Sequence, residues 1–160
     1  MCWSIRKLKL ASIKARVQLR FTGRLKKVRC YMPRPIEQAQ RLLALARRDM
    51  ISFRALSSHP EVDISATGFF AQQSVEKCLK AVALHHSVVF RRTHDVDELV
   101  DALIQHQVAM PFPPDHFSAL NPFAVILRYE ETPYVSMSVA AISELVELAY
   151  QWAQDEISIE

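Results

Sequence analysis

Two neighbouring stretches carry the residues best suited to chemistry. Gln72, Gln73, Glu76, Lys77 and Lys80 recur at spacings of one, three and four. On a helix that spacing gathers amides, a carboxylate and two ammonium groups toward one side. Lys77 and Lys80 could supply positive charge to a phosphate, and Gln72 and Gln73 could hydrogen-bond to a nucleotide. Arg91-Arg92-Thr93-His94-Asp95 follows. Arginines at a helix start suit phosphate, because the terminus offers free N–H groups and the positive end of the dipole. Asp95 competes for those same donors as a capping residue. His94 is a candidate for proton transfer, since imidazole titrates near neutrality. Arg128, ahead of Tyr129, Glu130 and Glu131, is a third candidate: an arginine reaching into a crevice between helices.

Each group also has a plain structural explanation. The lysines and amides would make a solvated helix face, with Glu76 and Lys80 as an i,i+4 ion pair in the favourable order. The arginines and His94 would flank a helix cap, and Arg128 would pair with nearby acids. Residue types alone favour these explanations. Other chemistry lacks a pattern. There is no Gly-rich phosphate loop, no recognisable Ser-His-Asp motif and no helical i,i+4 histidine pair for zinc. His85-His86 suits the end of a helix, where a cation meets the dipole.

The elements that must position these groups are helical. With 160 residues, half of them apolar and only two glycines, Gly23 and Gly68, the chain can build one domain with a sizeable core. A first helix is expected from about Pro35 to Leu56, burying Ile36, Ala39, Leu43, Ala46, Met50 and Phe53, with Pro35 in its first turn. Ser57, Ser58, His59 and Pro60 end it. A second runs from about Ser65 to His86, with Ala71, Val75, Cys78, Leu79 and Val82 as its core stripe and Gln73, Glu76, Lys77 and Lys80 opposite. A third starts at Asp95, where Asp95 and Glu98 form a capping box, and carries Val96, Leu99, Leu103 and Val108. Pro111, Pro113 and Pro114 break it. Short helices are expected over Asp115–Leu120 and Phe123–Arg128. The last runs from about Val135 to Asp155, burying Val139, Ile142, Leu145, Val146, Ala149 and Trp152. The fold class is therefore all-α: an up-and-down bundle of four to five helices.

Charge divides the chain. Residues 1–35 hold eleven Lys/Arg and no acid, while residues 36–160 hold nine Lys/Arg against seventeen acids, a balance of 9 − 17 = −8. Residues 1–34 form a basic leader and 35–156 the domain. The leader has three readings: a nucleic-acid-binding arm, an Arg-rich targeting peptide, or upstream sequence before a true start at Met32. The last is favoured, because the organised pattern begins only at Pro35, and a chain begun at Met32 is expected to fold as well. Val17, Leu19 and Phe21 alternate with polar residues as a weak strand before a Thr22-Gly23 turn. No apolar run reaches membrane-spanning length. The scattered Cys2, Cys30 and Cys78 suit a reducing, cytoplasmic setting, with Cys78 in the core.

Ala71-Gln72-Gln73-Ser74-Val75-Glu76-Lys77-Cys78-Leu79-Lys80-Ala81, then Thr93-His94-Asp95-Val96 before Leu99, then Arg128-Tyr129, resembles the HEPN domain family over roughly residues 36–156. The resemblance implies a four- or five-helix bundle that pairs into homodimers. It also implies a minimal nucleotidyltransferase as partner, the two acting as a toxin–antitoxin or nucleotide-handling pair. Many members are metal-independent ribonucleases built on an arginine followed, after four to six residues, by a histidine. Here no histidine follows Arg128, and His94 lies too close to Arg91 and Arg92. Only Arg54 and His59 fit that spacing, at the end of the first helix, outside the family's site. The expectation is a binding module for a nucleotide or a nucleotidyltransferase partner, with RNA as a further ligand. Gln73, Lys77, Lys80, Arg92, His94 and Arg128 are the candidate contacts, with no cofactor and no metal. The alternative is an endoribonuclease toxin with an atypical site, its catalytic residues unassigned.

Overall fold

The structure is a computed structural model, and it describes residues 34–124 and 137–158. The strand expected at 17–21, the leader up to residue 33, and Arg128 lie outside the described residues. Within them the chain forms helices α1 (Pro35–Ser57), α2 (Ile64–His85), α3 (Val96–Gln105), α4 (Pro114–Ser118) and α5 (Val139–Ser158). A further helical turn covers 121–124, and there is no strand among the described residues. The domain is an all-α bundle.

α2 is the central helix, packed against α1, α3 and α5, while α5 also touches α1 and α4 rests on α3. Small side chains explain the close α1–α2 contact: Ala39 and Ala81 share one cluster, and the Ser74 hydroxyl donates to the Ala46 carbonyl at 3.0 Å. Early α1 thus meets late α2, so the two run antiparallel. Ile157 joins Ala39 and Ala81, which brings the end of α5 back to the start of α1. Between these helices lie Met50, Phe53, Val75, Leu79, Val82, Leu99, Leu103, Ile142 and Val146, all buried.

The expected boundaries shift where caps decide them. Pro35 occupies the first turn of α1, and Asp63 caps α2 by accepting from the Ser65 N–H at 2.7 Å. α2 and α3 are each followed, two residues past their last, by a residue with left-handed backbone, Ser87 (φ 57°) and Gln107 (φ 60°). In each case the next N–H reaches back five residues, Val88 to Ala83 at 2.8 Å and Val108 to Leu103 at 3.1 Å. A buried valine then closes the turn, the usual hydrophobic contact of such helix ends. That chemistry stops α3 at Gln105, before the prolines expected to break it. α5 begins at Val139, later than expected, because Ser138 caps it by accepting from the Ala141 N–H at 3.2 Å. Val139, expected in the core, is 37 % exposed, and the buried stripe instead continues through Ala153 and Ile157. Trp152 is only partly buried; its indole N–H donates to the Ala109 carbonyl at 3.1 Å.

The capping box expected at α3 does not form. Asp95 accepts from the Asp97 N–H at 2.9 Å, but Glu98 turns to Arg91 at 3.6 Å. The Thr93 hydroxyl takes the vacant role, accepting from the Asp95 N–H at 3.0 Å. Asn121 then clamps the first turn. Its carbonyl accepts from the Val96 N–H at 2.9 Å, and its amide donates to Asp95 and Asp97 at 2.9 and 2.8 Å. This clamp fixes the start of α3, and with it the loop that carries Arg91, Arg92 and His94.

Candidate functional site

The polar side of α2 is neither solvated nor open to a ligand along most of its length. Gln72 and Glu76 are buried, at 0 % and 3 % exposure. Glu76 Oε1 receives the Lys80 ammonium at 2.7 Å. Its Oε2 accepts from Gln72 Nε2 at 3.1 Å and from Gln73 Nε2 at 3.3 Å. The predicted i,i+4 pair is therefore present, but as a buried pair inside a network. The reason is the following loop, which folds down on the helix. Lys80 also donates to the Thr93 carbonyl at 2.5 Å, and Gln72 to the His94 carbonyl at 3.1 Å. Two orphan loop carbonyls are thus satisfied by two α2 side chains.

Lys77 closes the other flank. Its ammonium donates to Gln73 Oε1 at 2.8 Å and the Gln73 carbonyl at 3.2 Å, and lies 2.7 Å from Asp49 Oδ2 on α1. That last contact is an ion pair by distance without hydrogen-bond alignment, so the buried Oδ2 keeps an unfilled acceptor position. Asp49 did not figure among the sequence candidates. A signal was present: it sits between Ala46 and Phe53 on the inward side of α1, where an acid needs a partner.

The electrostatics of Glu76 follow from these contacts. Burial by itself pushes its carboxyl pKa up. The hydrogen bond and charge of Lys80, the Gln72 amide and His94 outweigh burial and hold it below the usual carboxylate value. Glu76 is therefore an ionised, immobilised carboxylate. His94 Nδ1 lies 3.2 and 3.3 Å from its two oxygens, while the imidazole is 79 % exposed. A buried carboxylate thus orients a histidine whose other nitrogen faces solvent. Arg91 and Arg92 are exposed on the same loop, and Arg92 pairs with no described residue.

Residues 39–155 match the HEPN domain family. This chain is a HEPN domain protein. No curated protein and no solved structure gives a significant match. Membership places the chain among nucleotide- and RNA-related modules.

Of the expected contacts, the HEPN domain brings Gln73, Lys77, Lys80 and His94 together around Glu76, leaves Arg92 exposed on the adjoining loop, and has Arg128 outside the described residues. The outward groups are His94, Arg91 and Arg92; Gln73, Lys77 and Lys80 face inward to Gln72, Asp49, Glu76 and Thr93. Arg54 and His59, the spacing match in α1, have separate partners. Arg54 is gripped through Nε and Nη2 by both carboxylate oxygens of Glu147, and His59 Nδ1 pairs with Glu61 at 3.0 Å. His59 lines a cleft of about 500 Å³ at the α1–α2 turn, with Ser57, Glu61, Asp63 and Thr67. A second cleft, about 350 Å³, lies among Phe112, His116, Met137, Glu144 and Leu145. Neither is lined by a residue of the Glu76 network.

Proposed function

We propose that this HEPN domain binds the phosphates of a nucleotide or of RNA through Arg91, Arg92 and His94 on the α2–α3 loop. One observation carries the reading: His94 is oriented by an ionised, buried Glu76, between exposed arginines and a clamped helix start. The loop is preorganised by four side chains, so a ligand meets fixed cations at little ordering cost. Lys77 and Lys80 act behind this surface. Lys80 holds Glu76 and the Thr93 carbonyl, and Lys77 holds Gln73 and Asp49; loss of Lys80 weakens binding by loosening the loop. By family resemblance the domain works as a homodimer beside a minimal nucleotidyltransferase, in a toxin–antitoxin-like pair.

Isothermal titration with ATP tests the reading. Arg92→Ala/His94→Ala is expected to weaken binding by about tenfold or more, since one charge-assisted contact is worth about 1.5–3 kcal/mol. The helical signal and melting temperature of that variant should stay near wild type, because both side chains are exposed. No binding by the wild type, or equal binding by the variant, removes the assignment.

The same geometry favours one second reading, metal-independent cleavage of RNA. A histidine braced by a carboxylate can take up a proton, and adjacent arginines can stabilise charge on phosphate. Degradation of RNA in excess chelator, lost on His94→Ala, would select this reading; intact RNA with retained ATP binding would select the first.

A further inference from the structure

The outer face of α1 presents cations and aliphatic side chains together. Arg41, Arg47 and Arg48 are exposed there, and so are Ala44, Leu45, Ile51 and Ala55. Ile51 is 52 % exposed and Leu45 37 %. Helical spacing makes one surface of them. Ala44, Arg48, Ile51 and Ala55 follow a line at intervals of four, three and four, and Arg41, Leu45 and Arg48 a second line beside it. Arg54 is spent on Glu147, and Arg48 comes no closer than 3.7 Å to Asp49. Arg41 and Arg47 form no ion pair among the described residues.

Helices α3 and α5 have the opposite character. Of the nine Lys/Arg in residues 36–160, four lie on α1. α3 contributes Asp97, Glu98 and Asp101 and no cation; α5 contributes Glu144, Glu147, Asp155 and Glu156 and no cation. An acidic partner is repelled by those helices and attracted to α1. The aliphatic residues then decide what kind of partner fits. Nucleic acid engages phosphates through cations and bases through polar or aromatic groups, and leaves an exposed isoleucine and leucine between arginines unmatched. An amphipathic helix with an apolar stripe edged by Glu and Asp matches both parts of the surface. Ala44 and Ala55 leave room for its backbone to come close.

We infer that the outer face of α1, centred on Ile51 and Arg48, is a docking surface for an acidic amphipathic helix of a partner protein. The surface is separate from the α2–α3 loop and does not depend on nucleotide binding there.

Fluorescence anisotropy on the full chain tests this with labelled peptides. One is a helical 18-residue peptide with a Leu/Ile stripe flanked by Glu (about five turns of helix). Its control has the same composition with the apolar residues dispersed. A single-stranded RNA oligonucleotide is the third probe. The patterned peptide is expected to bind at least about tenfold tighter than its control, and to weaken by a similar factor on Ile51→Asp or Arg48→Glu. Arg92→Ala should leave it unchanged. Four results overturn the inference. They are no binding of the patterned peptide, equal binding of the control, and RNA binding that needs Arg41 and Arg48 but ignores Ile51→Asp. The fourth is concentration-dependent self-association in sedimentation that Ile51→Asp abolishes, which would make the occupant a second copy. Ile51→Asp and Arg48→Glu are solvent-facing, and their melting temperatures serve as the folding control.

Discussion

At the scale of single residues, Glu76 governs how the α2 face is read. A helix face bearing Gln, Gln, Glu, Lys and Lys reads as solvated from composition, and the lysines read as ligand contacts. What no local pattern reveals is that the loop at 91–95 returns to cover it, so that Thr93 and His94 carbonyls become partners for Lys80 and Gln72. The favourable Glu76–Lys80 spacing was legible; its burial was not, because burial is set by a segment about 15 residues further along the chain. The consequence can be measured. Lys80→Met leaves a buried carboxylate without its main counter-charge and a loop carbonyl without its donor. It should destabilise the domain by about 3 kcal/mol, within the range for breaking a buried pair. Glu76→Gln added to Lys80→Met should restore part of that loss, since a neutral amide is cheaper to bury alone. Urea midpoints of the two variants and wild type decide it. If Lys80→Met unfolds at the wild-type midpoint, the network is an ordinary surface pair.

At the scale of elements, the helices themselves were largely readable, because their apolar spacings of three and four are long and regular. The stripes Ala39–Ala46–Met50–Phe53 and Ala71–Val75–Cys78–Leu79–Val82 are buried as expected. The errors cluster at helix ends and in short connections, where Ser87, Gln107, Ser138 and Asn121 act through single hydrogen bonds that carry no periodicity. One element contact has a sharp test. Gly68 lies in the first third of α2, where glycine costs roughly 1 kcal/mol against alanine by intrinsic propensity. Its role is steric. A Cβ placed there would overlap the ring of Phe123, from the helical turn at 121–124. Phe123 is 1 % exposed and belongs to the main core, so its ring cannot simply swing outward. Gly68→Ala should therefore destabilise by about 1–3 kcal/mol, the usual cost of overpacking, against the stabilisation that propensity alone predicts. Phe123→Leu in the same chain should recover part of the loss. A Gly68→Ala protein with a higher urea midpoint than wild type would show that the ring does not press on α2.

At the scale of the whole molecule, stability against pH should show a plateau with two different edges. On the acid side the controlling group is Glu76, with its folded pKa held below the ordinary 4.5. A depressed carboxylate stabilises fully above its unfolded pKa, and that contribution disappears as pH falls through the folded value. Asp63, lowered by the hydrogen bonds from Ser65, shifts in the same direction. On the alkaline side the group is Cys78, fully buried, whose thiol pKa burial raises far above 9.0. For a raised pKa the sign reverses in position. The neutral thiol costs nothing below the unfolded value, and stability is lost as pH climbs past it, because only the unfolded chain can ionise. Tyr150, raised mainly by burial, adds to that loss above 10.0. Melting temperature should thus be nearly flat from about pH 5 to pH 8 as far as these groups determine it. The two edges separate by mutation. Glu76→Gln should lower the plateau yet flatten the acid edge, because the titrating group has gone while its network is damaged. Cys78→Ala should leave the acid edge in place and shallow the alkaline one, while a small cavity lowers the plateau by about 1 kcal/mol. An acid edge of equal steepness in Glu76→Gln and wild type would move the control of acid unfolding away from the α2–α3 network, and with it the claim that an ionised Glu76 holds His94 in place.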